Sequence, residues 1–114
     1  MARGSEFVDF VLESLQPLGG VSARRMFGGW GIYKDGVMFA LVAYDQLYLK
    51  VDDGNRPEFE AAGLQPFTYA GKGRPIEMSY REAPSDGFDD PEILCDWARG
   101  SYAAALRTKE PKRR

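Results

Sequence analysis

Histidine is absent from this 114-residue chain, which removes the usual general base near neutral pH and the commonest metal ligand. A Ser-His or Cys-His nucleophile pair is therefore excluded, as is a zinc site built from histidine and cysteine clusters. Cysteine occurs once, at Cys95, so there is no internal disulfide, in keeping with a reducing compartment. Cys95 falls between Leu94 and Trp97 on a helical pattern, where a buried structural thiol is expected. No apolar run approaches the roughly 20 residues needed to span a bilayer. The N-terminus lacks a charged-then-apolar leader pattern, so the expected location is cytoplasmic, with no membrane partner. What remains is one domain of ordinary composition, 44% hydrophobic and 13% aromatic, long enough to bury a core unaided.

Charge is unevenly placed. Residues 1–106 hold 10 Lys+Arg against 16 Asp+Glu, a net of −6, while residues 107–114 hold 5 against 1, a net of +4. The chain thus divides into a domain over 1–106 and a basic tail over 107–114, too polar to pack. An acidic body repels phosphate backbones, which opposes direct nucleic-acid binding.

Periodicity predicts a helix, three strands, a helix, two strands and a final helix. Ser5 is placed to cap the first helix, whose apolar positions include Phe7, Val8, Phe10, Val11, Leu15 and Leu18; Pro17 and Gly19-Gly20 stop it. A strand is expected over Arg24–Tyr33. After the Asp35-Gly36 turn comes Val37–Tyr44, whose unbroken apolar run suggests a central strand covered on both faces. Leu47, Leu49 and Val51 alternate with Tyr48 and Lys50, predicting a third strand with one wet face. Asp52, Asp53 or Asn55 can cap the second helix, with Pro57 in its first turn and Gly63 past its end. Strands at Phe67–Tyr69 and Ile76–Arg81 flank a turn at residues 70–74. Asp90-Pro91 opens the last helix, whose inner face takes Ile93, Leu94, Trp97, Ala98, Ala104 and Ala105.

Gly28, Gly29 and Gly31 are too dense for an ordinary strand and suggest a bulge or a close backbone approach. They lead into strand rather than a helix N-terminus, so they form neither a dinucleotide fingerprint nor a P-loop. Gly71-Lys72-Gly73-Arg74 could hold an anion, but a plain hairpin turn accounts for it. Asp52-Asp53 and Asp89-Asp90 each precede a helix, where capping explains them better than a metal. Phe27, Trp30, Tyr33, Phe39, Tyr44 and Tyr48 could stack bases, with Arg24, Arg25, Lys34 and Lys50 as flanking charges. Core packing and a protein-contact surface explain the same residues with fewer assumptions. No catalytic, cofactor or metal residue stands out; the candidate ligand or partner contacts are Arg24, Arg25, Phe27, Gly28, Gly29, Trp30 and Gly31.

The run Ala23-Arg24-Arg25-Met26-Phe27-Gly28-Gly29-Trp30-Gly31-Ile32-Tyr33 resembles the signature of the TfoX/Sxy N-terminal domain. The resemblance continues through Asp35–Val42, Leu47–Asp52, Asn55-Arg56, Phe59–Leu64, Pro66-Phe67, Met78-Ser79-Tyr80 and Asp90-Pro91-Glu92, covering about residues 5–107. It implies a two-layer α+β fold like that of secretion chaperones, α-βββ-α-ββ-α, with a predominantly antiparallel five-stranded sheet. It also implies regulation of natural competence through transcriptional coactivation, and it transfers no catalytic residue and no cofactor. The family's regulators carry a second, C-terminal helical domain; this chain is expected to be a single-domain member without it. The resulting expectation is a non-enzymatic regulatory or adaptor domain acting through protein contacts, with a second copy of the chain among the candidate partners. The alternatives are a protein that binds a small anionic ligand at Arg24, Arg25 and the glycine bend, and a direct DNA binder through the same arginines and the tail.

Overall fold

The computed structural model describes residues 5–26, 29–70 and 75–109. Residues 1–4, Phe27, Gly28, 71–74 and 110–114 lie outside them. The architecture is α+β: three α-helices and one antiparallel sheet, in the order α-ββββ-α-ββ-α. The helices are α1 (Ser5–Ser14), α2 (Arg56–Ala61) and α3 (Pro91–Lys109). The strands are β1 (Val21–Met26), β2 (Gly29–Lys34), β3 (Val37–Ala43), β4 (Gln46–Lys50), β5 (Pro66–Ala70) and β6 (Pro75–Glu82), arranged β1-β2-β3-β4-β6-β5.

The sheet has six strands where five are expected, because the segment Arg24–Tyr33 is not one strand. Met26 pairs with Gly29 and Val21 with Lys34, so the chain reverses within the glycine run. The bulge sits later, where the register shifts between Ile32 and Tyr33. It leaves Phe39 as the extra residue on β3, between Met38 (paired with Tyr33) and Ala40 (paired with Ile32). Phe39 is fully buried, its ring edge-on to Tyr102 of α3 at 6.1 Å. The Asp35-Gly36 turn forms as expected, both residues having positive φ (50° and 83°), which is the two-residue hairpin geometry that matches strand twist.

Helix α1 buries Val8 and Val11, and Leu15, one residue past its end, continues the same stripe. Phe10 remains 39% exposed, in an aromatic cluster with Phe7 and Phe88. Ser5 is the first residue of α1, but its capping role lies outside the described side chains. A short 3-10 turn at Gln16–Leu18 follows, with Pro17 in its first positions. Strand β4 alternates as predicted: Leu47 and Leu49 are buried, Tyr48 and Lys50 only partly. Register carries that alternation across the sheet. Ala40 and Val42 oppose Leu49 and Leu47, and Ile32 opposes Ala40. These residues form one core with α1, Phe59 of α2 and Leu94, Cys95, Ala98 and Ala105 of α3. The helices thus close one sheet face, and the intervening residues point to the other, outer face.

Candidate functional site

The period of two decides where the predicted site residues point. Arg25 pairs with Trp30 and Arg24 with Gly31, so the two neighbouring arginines leave β1 on opposite faces. The Arg24 guanidinium lies 5.2 Å from the centre of the Tyr33 ring on the outer face. The Arg25 guanidinium lies 5.3 Å from the Trp30 ring on the helix side. Each is a cation–π contact of about 0.5–1 kcal/mol at an exposed site. The structure therefore does not bring the two charges to one pocket. Phe27 and Gly28 lie outside the described residues.

The remaining glycines serve close approach, one of the two readings their density suggests. A Cβ on Gly29 would collide with the carbonyl oxygen of Val42. A Cβ on Gly31 would stand 2.9 Å from the Met26 sulfur and 3.1 Å from the Met38 sulfur. Gly31 is thus the notch in which two outer-face methionines and the Tyr33 ring meet.

Across the outer face, Leu41 opposes both Gly31 and Tyr48. It is only 8% exposed, although the helices pack on the other side. Tyr48 stacks obliquely on Phe67 of β5, centroids 4.6 Å apart, and burial with nearby Glu82 raises its phenol pKa. The outer face is therefore an apolar and aromatic patch of Met26, Tyr33, Met38, Leu41, Tyr48 and Phe67, edged by Arg24 and Glu82. The alternation at Tyr48 marks part of it in the sequence. Leu41 joins it through strand pairing and Phe67 through its ring contact with Tyr48.

A cleft opens where the central strands part. The β3–β4 ladder ends at Ala40 opposite Leu49. Beyond that pair, Val37 and Met38 diverge from Lys50, and the gap is a cavity of about 320 Å³ backed by Ala105 and Thr108 of α3. Lys50 pairs with Tyr80 of β6. Its ammonium donates to Ser79 Oγ at 2.8 Å and lies 5.2 Å from the Tyr80 ring centre. Burial lowers the Lys50 pKa, partly offset by Asp52. Burial also pushes the Tyr80 phenol up to about 12. In the sequence Lys50 shows only as a wet-face strand position and a flanking charge, and Tyr80 only as part of the family resemblance, because 30 residues separate them and the β4–β6 pairing joins them.

One carboxylate of each pair acts on backbone, while Asp53 pairs with the Arg56 guanidinium. Asp52 Oδ1 accepts from the Gly54 and Asn55 amides at 2.9 and 3.3 Å, while Arg107 grips both its oxygens at 2.6 and 2.8 Å. Those bonds, the Arg107 pair foremost, hold the Asp52 carboxyl at about 2. Asn55 caps no amide of α2; its side chain bridges the Asp52 amide and the Lys50 carbonyl. Asp90 accepts from the Glu92 amide at 3.0 Å, as its predicted capping role requires. Cys95 is buried and its thiol donates to the Ser14 carbonyl at 3.3 Å. Burial raises its pKa, so it is a structural thiol rather than a stabilised thiolate.

Among known families, the model of the TfoX N-terminal domain matches residues 13–105. No curated protein matches the chain.

Proposed function

Given that the chain belongs to the TfoX N-terminal domain family, generally a non-catalytic regulatory domain, we propose that it works as a regulatory adaptor acting through protein contacts. The process it serves is transcriptional regulation, with natural competence as the pathway the family suggests. The observation that carries this reading is the outer sheet face. A two-layer fold covers one face of its sheet, and here the other presents a contiguous apolar and aromatic patch with charges at its edge. Such patches, apolar at the centre and polar at the rim, mark contact surfaces. Arg24, beside that patch, is a fitting rim contact; Arg25 and Trp30 belong to the opposite side and would serve a different contact.

The test replaces Tyr48 and Phe67 with aspartate, singly and together, and compares each variant with the native chain. Light scattering reads self-association, and affinity capture from the native cell reads hetero-association. The expected outcome is loss of association with an unchanged thermal unfolding profile. A native chain that stays monomeric and captures nothing, or association that survives the double variant, would overturn the reading.

A further inference from the structure

We propose that the cleft between the diverging ends of β3 and β4 binds a small carboxylate with a short apolar tail, held by the Lys50 ammonium and the Tyr80 hydroxyl. Three observations carry the proposal, and none depends on the outer face as a contact surface.

The first is the cavity. At about 320 Å³ it lies at the small end of the range for ligand clefts, about 300–1,000 Å³. Val37, Met38 and Ala105 supply aliphatic walls, suited to a hydrocarbon tail. The second is unspent donor capacity. An ammonium has three donors, and Lys50 commits one, to Ser79. Tyr80 is 9% exposed and lines the cavity, yet its hydroxyl makes no hydrogen bond among the described residues. That hydroxyl is not sealed in the core, as the Ser101 hydroxyl is, and so can be reached from the cleft as a donor. The third is charge. The carboxylate nearest Lys50 in sequence, Asp52, is already taken by Arg107 through two hydrogen bonds. Asp52 is still felt at Lys50, but Lys50 forms no ion pair among the described residues, so an incoming anion meets a partly desolvated cation, where a charge-assisted hydrogen bond is strong.

The donor set also selects the anion. Thr108 donates its hydroxyl proton to the Ala104 carbonyl at 2.6 Å and offers a bound anion only lone pairs. One ammonium and one phenol satisfy a singly charged carboxylate. A phosphate dianion calls for the guanidinium forks or multiple amides that this cleft lacks among its lining residues.

The probe is hexanoate, with hexanamide as its neutral counterpart and inorganic phosphate as the competing anion, each titrated into the 114-residue chain by two-dimensional NMR. Saturable shifts centred on Met38, Lys50 and Tyr80 are expected for hexanoate alone. Hexanoate should also raise the Lys50 side-chain pKa in a direct carbon-13 titration, since an anion favours the ammonium. Lys50→Met, which keeps the aliphatic stem, should weaken binding about tenfold or more, equivalent to about 1.4 kcal/mol. Tyr80→Phe keeps the ring and should weaken it several-fold with native spectral dispersion. Equal shifts from hexanamide, tighter binding of phosphate, non-saturating shifts, or an undiminished response in folded Lys50→Met or Tyr80→Phe would each sink the proposal.

Discussion

Among the described residues, Ser101 departs from the rule that buried polar atoms find partners. It lies on α3 at 0% exposure, and its hydroxyl has no hydrogen-bond partner among the described residues. Two turns earlier on the same helix, Cys95 shows the ordinary solution, a weak donor aimed at the Ser14 carbonyl. Leaving a hydroxyl unsatisfied in the core costs about 1–3 kcal/mol, and serine is also a poorer helix former than alanine by a few tenths. Ser101→Ala removes both penalties and only one heavy atom. It should therefore raise stability by about 1 kcal/mol, visible as an upward shift in Tm of about 4 °C for a domain of this size. A fall in Tm would mean that the hydroxyl holds a partner after all.

At the scale of elements, the end of α3 is fastened to the turn leading into α2 by one ion pair, Arg107 to Asp52. Asp52 also organises that turn through the Gly54 and Asn55 amides. Its folded carboxyl titrates at about 2, below its ordinary 3.8. A depressed carboxyl contributes stability that is complete above the unfolded value and is lost as pH falls toward the folded one. The Asp52 contribution should thus be intact at pH 7 and fade between about pH 4 and 2. Urea titrations of the native chain and Asp52→Asn, taken across that window, isolate it from other carboxylates. The native chain should be more stable at neutral pH, and the two should converge near pH 2; parallel curves would show that Asp52 is not the group responsible. Element identity was largely legible in the sequence, because β4 alternates cleanly and Asp35-Gly36 and Asp90-Pro91 have specific turn and cap chemistry. The β1–β2 reversal was not, since Met26-Phe27-Gly28-Gly29-Trp30 carries no polar turn residue and reads as continuous strand. The placement of Arg24 and Arg25 on opposite faces follows from strand period alone once β1 is recognised. The meeting of Lys50 with Tyr80 depends on β6 inserting between β4 and β5, a non-local choice that no local pattern encodes.

For the whole molecule the governing quantity is the separation of charge, −6 over residues 1–106 against +4 over residues 107–114. Arg107 spends its charge on Asp52, which leaves Lys109, Lys112, Arg113 and Arg114 as the segment's remaining cations. Counterion release sets the strength of any contact with duplex DNA, with log K falling by about 0.9 per log unit of salt for each phosphate neutralised. Four cations therefore predict a slope no steeper than about −3.6, opposed by the acidic body. Fluorescence anisotropy with a labelled duplex should show at most weak binding at low salt and none at about 150 mM, where screening extends over only about 8 Å. Replacing the four cations with glutamine should abolish the low-salt binding while leaving the fold unchanged. Binding that persists at about 150 mM, or survives that replacement, would require a cationic surface on the folded body. Arg24 and Arg25 are the residues in which to seek it, and because they occupy opposite faces of β1, single substitutions would identify the side that meets DNA.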